Sequence, residues 1–184
     1  MPVSTECLTE IIEVAFVPTE LGWFGSAMSN ETVLALTIGD TSEQASRRRL
    51  RQKLSEMENP SETETAFSKE ASRLKKDLER FASGEVVDFR RYKVSSGHMT
   101  EFQKKVQQAV RKIPIGKTLS YAEVAEQAGS PRAARAVGNV MAQNRTPIVV
   151  PCHRVLASGG QWGGFTAPGG VDFKRRILDL EANC

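Results

Sequence analysis

The chain has 184 residues and a mass of 20.2 kDa, which is room for one ordinary domain or two small ones. With 40% apolar and 26% charged residues it reads as a globular protein, and it holds no run of about 18 apolar residues that could span a membrane. The net charge of +3 conceals an asymmetry: residues 1–84 carry 10 Lys/Arg against 14 Asp/Glu (net −4), whereas residues 85–184 carry 15 against 8 (net +7). The basic half is the place to look for a polyanionic partner, since lysine and arginine that neutralise phosphates release counterions, although a basic face is often just solvated.

The N-terminal stretch MPVSTECLTEIIEVAF has no basic segment followed by an apolar block, so no secretory signal is expected and the protein is read as intracellular. Cys7, Cys152 and Cys184 include no CxxC pair, and His98 and His153 are the two histidines. That inventory argues against a disulfide framework and against a zinc cage, so no metal is expected. Cys7 and Cys184, near the two ends, read as incidental.

In chain order, IIEVAFVPT, LGWFGSAMS and TVLALTIG read as short strands, with turn signals at Pro18 to Gly22 and at Ser29-Asn30-Glu31. Helical spacing and high charge follow from Glu43 to Leu54 and from Ala66 to Phe81. The segment 56–64 between them (EMENPSETE) is predicted to be an exposed acidic loop broken by Pro60. Ser83-Gly84 ends the second helix and marks the expected boundary between an N-terminal α/β domain (1–84) with a small antiparallel sheet and a mainly helical second domain (85–184). In the latter, Thr100-x-x-Gln103 and Ser120-x-x-Glu123 are capping-box patterns, each opening a helix. After Ala128-Gly129, Ser130 is predicted to cap a further helix with Pro131 in its first position, running to about Gln143.

Two short helices across a glycine turn make a helix-turn-helix candidate. The second carries Arg132 and Arg135 among Ala133, Ala134, Ala136 and Gly138, small residues that let a helix approach a groove closely. The same residues also suit a tightly packed core helix, and spacing alone leaves the two readings open. TPIVV (146–150) is predicted to be a buried strand ending at Pro151. Cys152-His153-Arg154, a short strand VLA, a glycine-rich loop from Gly159 to Gly170 and an amphipathic helix from Val171 to Glu181 close the chain.

Cys152 is the candidate nucleophile. A thiol with pKa about 8.5 is already a few per cent thiolate near neutrality, and an imidazole that takes the proton raises that fraction. His153 is adjacent in sequence, so a bridging water is a more natural link than direct contact. A carboxylate orienting the imidazole completes the logic of a triad. Glu181 is the preferred choice, with Asp172 and Asp179 as alternatives that spacing does not separate. The competing reading is a buried structural cysteine beside a hydrogen-bonded histidine. Against it stand Pro151, which stiffens the turn, and SGGQWGGFTAPGG, whose glycines suit a backbone that approaches a ligand closely.

Pro151-Cys152-His153-Arg154-Val155 resembles the signature pentapeptide of the O6-alkylguanine-DNA alkyltransferase (methylated-DNA–protein-cysteine methyltransferase) family. The resemblance extends in order through Phe102-Gln103, Gly116 to Tyr121, Ala133 to Gly138, Asn144 and Lys174 to Glu181, covering about residues 85–182 closely and 9–84 loosely. It implies a ribonuclease H-like N-terminal α/β domain and a winged-helix-like second domain with a helix-turn-helix. It also implies a suicidal, single-turnover S-methyltransferase, without cofactor, that flips O6-alkylguanine (also O4-alkylthymine) out of DNA and takes its alkyl group onto Cys152. By the same resemblance His153 is the water-mediated base, Glu181 its polarising carboxylate, Asn144 the buttress of the cysteine turn, and Tyr121 the hydroxyl that bonds the flipped guanine. Arg135 fills the gap in the duplex from a helix in the minor groove, with Ser120, Ala134 and Gly138 beside it. Met141, Phe165, Thr166 and the Val155 carbonyl line the pocket.

The implied partner is double-stranded DNA, bound largely without regard to sequence by a monomer, with no membrane contact, in the cytoplasm of a bacterium or the nucleus of a eukaryote. The sequence departs from the family at Arg145, often proline, and in a 163–170 loop about two residues longer than in many relatives. Two other readings share the residue types: a lesion-binding module similar to alkyltransferase-like proteins, which lack the acceptor cysteine, and a Cys-His-Glu thiol hydrolase, which leaves the helix-turn-helix and the basic half unexplained.

Overall fold

Three strands follow one another directly: β1 (Ile11–Thr19), β2 (Gly22–Ser29) and β3 (Thr32–Asp40). Each link is a two-residue hairpin loop, with Thr19 opposite Gly22 and Ser29 opposite Thr32. In the second loop Asn30 and Glu31 both have positive φ, 47° and 60°, the left-handed pair whose twist matches that of the flanking strands. The computed structural model describes residues 11–55, 61–63, 67–97 and 99–183. Cys7, His98, Cys184 and most of the acidic 56–64 segment fall outside them.

Helix α1 (Glu43–Leu54) starts at Ser42, whose side chain accepts from the Ala45 amide, and α2 (Lys69–Ala82) starts at Ser68, which accepts from Ala71. The second helix thus begins at Lys69 rather than Ala66, because Ser68 takes the capping position and its own amide donates to Glu13 Oε2 at 2.6 Å. The two helices cover opposite faces of the sheet. Leu50 and Leu54 of α1 pack with Ile12, Val14, Ala27 and Ala35. Leu74, Leu78 and Phe81 of α2, at helical spacing, pack with Phe24, Met28, Val33, Leu36 and Ile38. Each large side chain buried this way contributes roughly 1.5–3 kcal/mol.

The sheet is mixed rather than purely antiparallel. Its order is β4-β1-β2-β3-β5, with β4 (Ser61–Thr63) parallel to β1 and β5 (Lys93–Val94) parallel to β3 at the two edges. Hairpins force antiparallel pairing, but these edge strands arrive by longer connections through helices and so can run parallel. Residues 61–63 of the expected acidic loop are accordingly a strand. The apolar cluster under α2 also runs past residue 84: Val87, Phe89, Tyr92, Ile148, Val149, Phe173 and Ile177 join it.

A second cluster gathers α3 (Glu101–Arg111), α4 (Tyr121–Gln127) and α5 (Ala134–Ala142) around Val106, Val110, Val124, Val137, Met141 and Val155. Both capping boxes are present, at Thr100/Gln103 and Ser120/Glu123. Helix α5 departs from expectation: it begins at Ala134, with no side-chain cap. Ser130 to Ala133 instead form a tight turn closed by an Ala133 N–H to Ser130 carbonyl bond of 2.9 Å, while the Ser130 amide ends α4 on the Ala125 carbonyl. The short strands β6 (Leu119–Ser120) and β7 (Val155–Leu156) pair in parallel, and α6 (Gly170–Ala182) closes the fold. In outline the molecule is a mixed α/β protein.

Candidate active site

The segment 146–150 is buried as its apolar run demands, but it is a turn and not the expected strand. The Val150 amide donates to the Thr146 carbonyl at 2.9 Å, and Ile148 sits at φ 72°, a costly conformation for a β-branched residue. Asn144 holds this turn from inside: its Nδ2 donates to the Val150 carbonyl at 2.8 Å and its Oδ1 accepts from the Thr146 amide at 3.0 Å. A backbone bent back on itself in the interior needs such a partner, because its polar groups have no water to turn to. The chain leaves the turn through Pro151 into a 3-10 turn, Cys152–Arg154, with the Cys152 amide on the Val150 carbonyl at 2.8 Å.

Cys152 is buried, and burial pushes its thiol upward. The Asn144 amide and the positive charges of Lys174 and Lys53 act in the opposite direction. His153 is fully buried, its Nε2 2.8 Å from Glu181 Oε1. A carboxylate can only accept, so Nε2 carries the proton of the neutral ring and Nδ1 is left as a lone-pair acceptor. Among the described atoms Nδ1 has no hydrogen-bond partner. Burial lowers the imidazole below its ordinary value, against the pull of Glu181, so the ring is a neutral base at physiological pH. Burial would raise the Glu181 carboxyl, but the bonds and charges of His153 and Arg154 together outweigh it and hold Glu181 at about 2. Asp172 and Asp179, the alternatives, are exposed.

Two residues to which the sequence reading gave no role complete the site. The buried Arg154 guanidinium grips both Glu181 oxygens, Nε at 3.2 and 3.0 Å and one terminal nitrogen at 2.7 Å, while its other arm donates to the Ile113 carbonyl at 2.7 Å. Lys174, fully buried on α6, donates to the Val155 carbonyl at 2.6 Å and to the Trp162 carbonyl at 2.8 Å; burial brings it down to about 8. Its spacing from Ile177 and Glu181, one and two turns on, is the signal that could have placed it on the buried face. The Val155 carbonyl, expected to face a ligand, therefore already has one donor, with a lone pair to spare.

Tyr121, first residue of α4, is half-buried, and burial together with the Cys152 charge raises its hydroxyl so that it keeps its proton. The glycine loop folds down on it: a Cβ on Gly163, which sits at φ 61°, would lie 2.9 Å from the tyrosine oxygen. Gly138 on α5 flanks the same ring, where an added Cβ would meet Cε1 at 4.0 Å. Met141 is buried in the cluster that includes Cys152, and Phe165 packs on it while stacking on Phe173 at 6.4 Å. Thr166 is exposed. Ser120 is taken up by the cap of α4, its hydroxyl accepting from Glu123 at 3.2 Å. The turn before α5 carries Gly129 at φ 76°, and α5 presents Arg135 and Ala136 to solvent with Ala134 and Gly138 half-buried. So Cys152, His153, Glu181, Asn144, Tyr121, Met141, Val155 and Phe165 lie in one connected interior region, and Arg135 lies on the outer face of α5. No group of three or more His, Cys, Asp or Glu among the described residues is placed to hold a metal, and no helix among them is long and apolar enough to cross a membrane.

Residues 101–183 match the family model described as "6-O-methylguanine DNA methyltransferase, DNA binding domain". The methylated-DNA–protein-cysteine methyltransferase of Methanosarcina acetivorans is 43% identical over 120 residues, 64% of this chain and 71% of that protein. The protein of the same name from Mycobacterium leprae is 45% identical over 104 residues, 56% of this chain and 61% of that one. Among solved structures, Mycobacterium tuberculosis OGT in complex with DNA superimposes with a TM-score of 0.70 at 31% identity, over 94% of this chain and 92% of that one. The Pyrococcus kodakaraensis O6-methylguanine-DNA methyltransferase, at 22% identity, shares the fold with a TM-score of 0.68, over 92% of this chain and 98% of that one. With the match to the Methanosarcina protein spanning more than two thirds of its length, the chain belongs to the methylated-DNA–protein-cysteine methyltransferase family.

Proposed function

We propose that the protein reverses alkylation damage in duplex DNA by transferring the alkyl group of O6-alkylguanine, irreversibly and once per molecule, to Cys152. One observation carries the reading: a buried thiol on a braced turn, next to a neutral imidazole whose far nitrogen is fixed by an ionised carboxylate. His153 Nδ1 takes the thiol proton through a water, and Glu181 stabilises the imidazolium that results. The thiolate attacks the alkyl carbon, an S–C bond forms, the C–O6 bond breaks and its electron pair leaves with the guanine. The Tyr121 hydroxyl donates to the base as that charge develops. A thioether remains, and no side chain near it offers a way to cleave it. O4-alkylthymine presents the same kind of carbon.

The lesion lies inside the base stack, so the nucleotide must first rotate out, at a cost of a few kcal/mol. Helix α5, with its small residues and exposed Arg135, lies in the minor groove; Arg135 enters the vacated space and offsets part of that cost. Ser120, Ala134 and Gly138 line the approach, and Met141, Phe165, Thr166 and the Val155 carbonyl bound the base. The mycobacterial neighbour was solved in complex with DNA, which supports DNA as the partner. In this reading residues 1–84 form a ribonuclease H-like domain and 85–184 a winged-helix-like reader, acting as a monomer.

The test is the intact mass of the protein after incubation with a duplex containing O6-methylguanine. One methyl should appear, on Cys152, and no second on longer incubation, while Cys152→Ser binds the duplex but gains nothing. Transfer to the serine variant overturns the reading; binding by the wild type without a mass change favours a lesion-binding module. Arg135→Ala should slow repair of the duplex far more than reaction with the free O6-alkylated base, and equal losses remove Arg135 from the flipping step.

A further inference from the structure

Lys53 stands near the end of α1, 91 positions before Asn144, yet its Nζ donates to the carbonyls of Asn144 at 3.3 Å and Arg145 at 3.2 Å. The same Arg145 carbonyl also accepts from the Leu36 amide of β3 at 2.8 Å, so the N-terminal layer grips this turn by a strand and by a helix. These carbonyls follow the C-terminus of α5, where the helix dipole is negative and a cation is favoured. From there the connection to the acceptor is short. The Asn144 side chain donates to the Val150 carbonyl at 2.8 Å, which also accepts from the Cys152 amide at 2.8 Å. Lys53 and Cys152 also sense each other's charge directly: the ammonium favours the thiolate, and the thiolate favours the ammonium.

We propose that Lys53 is a positioning residue for alkyl transfer, an arm of the N-terminal domain whose ammonium holds the Asn144–Arg145 carbonyls, and through Asn144 the turn that bears Cys152, in register. The inference rests on Cys152 being the alkyl acceptor. It gives the N-terminal domain a share in the chemistry that neither its charge nor its sheet foretold. The charged groups facing Lys53 are Arg49 on its own helix, Asp40 on β3, and Arg145 and Cys152 across the gap. Burial first, then Arg49 and Arg145, lower Lys53 to about 8, with Cys152 and Asp40 pulling the other way. Lys53 is therefore charged at pH 7 and largely neutral at pH 9, and its electrostatic help should fade across that interval.

The experiment compares the full-length wild type with Lys53→Met and Lys53→Arg, by methyl transfer at saturating O6-methylguanine duplex and by iodoacetamide labelling of Cys152. At pH 7 the methionine variant should be slower by about tenfold in both reactions, the size of one lost charge-assisted hydrogen bond. Its deficit in labelling should shrink as pH rises through 8. Duplex affinity should stay within about twofold, and Lys53→Arg should restore most of the rate at every pH. A wild-type rate in Lys53→Met at pH 7, or a deficit that is the same at pH 7 and pH 9, overturns the proposal, the second outcome marking a purely structural residue. If Lys53→Met does not fold, Lys53→Gln takes its place with the same outcomes. Failure of the wild type to accept a methyl group would defeat the acceptor assignment instead, and the labelling ratio would still decide whether Lys53 tunes the thiol.

Discussion

Around the N-terminal sheet, buried carboxylates lean on partners that reach water. Asp40 pairs with Arg49, whose side chain is 26% exposed, and Asp77, besides accepting from the buried Tyr92 hydroxyl at 2.7 Å, pairs with Arg80, which is 48% exposed. Around Cys152 the partners are buried as well: Glu181 at 1%, His153 at 0% and Arg154 at 9% side-chain exposure. The first arrangement lets a fold tolerate a charge at the edge of its core. The second takes several ionisable groups out of water together, which is expensive unless every member is satisfied. Its return is a fixed field at the thiol, set by groups already held in place when charge moves.

The largest test of that contrast is to remove one cation from each half. Arg154→Met leaves Glu181 buried with a neutral histidine as its remaining side-chain partner and strips the Ile113 carbonyl of its donor. The expected loss is about 3–5 kcal/mol in a denaturant titration. Arg49→Met also takes a donor from the Ile38 carbonyl, but should cost less, about 2 kcal/mol, because the arginine is 26% exposed and its loss lets water reach the buried Asp40. Equal losses would mean that the two halves bury charge in the same way.

Acid provides the second test. Glu181 is held at about 2 when folded, against an ordinary value of 4.5. Between those values the unfolded chain binds the proton and the folded one does not, so the stabilisation is complete above pH 4.5 and is lost as pH falls toward 2. At 1.36 kcal/mol per unit this is about 3 kcal/mol. His153 works in the same sense at higher pH, since burial lowers its folded value and the unfolded form protonates first. Stability measured in urea should therefore fall more steeply on acidification in the wild type than in Glu181→Gln, by about 3 kcal/mol between about pH 6 and pH 2. Parallel curves would show that Glu181 is not the group that pays on acidification.

What the sequence made legible divides along the same line. Hairpins, helices and capping boxes are local objects, and the residues that make them, such as Asn30 in its left-handed turn or Ser120 and Glu123 in their reciprocal bonds, are neighbours in the chain. The order of motifs around Cys152 was legible through resemblance to a family. The 146–150 segment was misread because its apolar run reports burial, not conformation; Asn144 bends it into a turn through bonds that hydropathy does not record. Arg154, Lys174 and Lys53 were missed for a related reason. A basic side chain in a sequence reads as surface, and only the carbonyls and carboxylates converging on it from elsewhere in the chain, over separations of 27, 19 and 91 residues, make it an interior group.

The smallest expected effects come from two glycines, and they separate folding from chemistry most sharply. A Cβ on Gly25 of β2 would lie 2.6 Å from Thr37 Oγ1 and 2.7 Å from Ser46 Oγ, two buried hydroxyls bonded to each other at 2.6 Å where α1 crosses the sheet. Gly25→Ala must push α1 outward or break that bond, at about 2 kcal/mol. The molecules that remain folded should still transfer at the wild-type rate, provided that Lys53 is not displaced with its helix. Gly163→Ala meets Tyr121 alone, its oxygen at 2.9 Å and its ring carbon Cε2 at 3.2 Å, and adds a left-handed backbone strain of about 1 kcal/mol. Its loss of stability should be the smaller of the two, yet its transfer rate should fall by about tenfold, because the Cβ lies where the Tyr121 hydroxyl must be. Denaturant titrations and single-turnover rates on the same two variants give all four numbers. A Gly25 variant that slows transfer while keeping its fold would show the sheet acting on the thiol through α1 and Lys53, and would move the boundary between scaffold and site into the first forty residues.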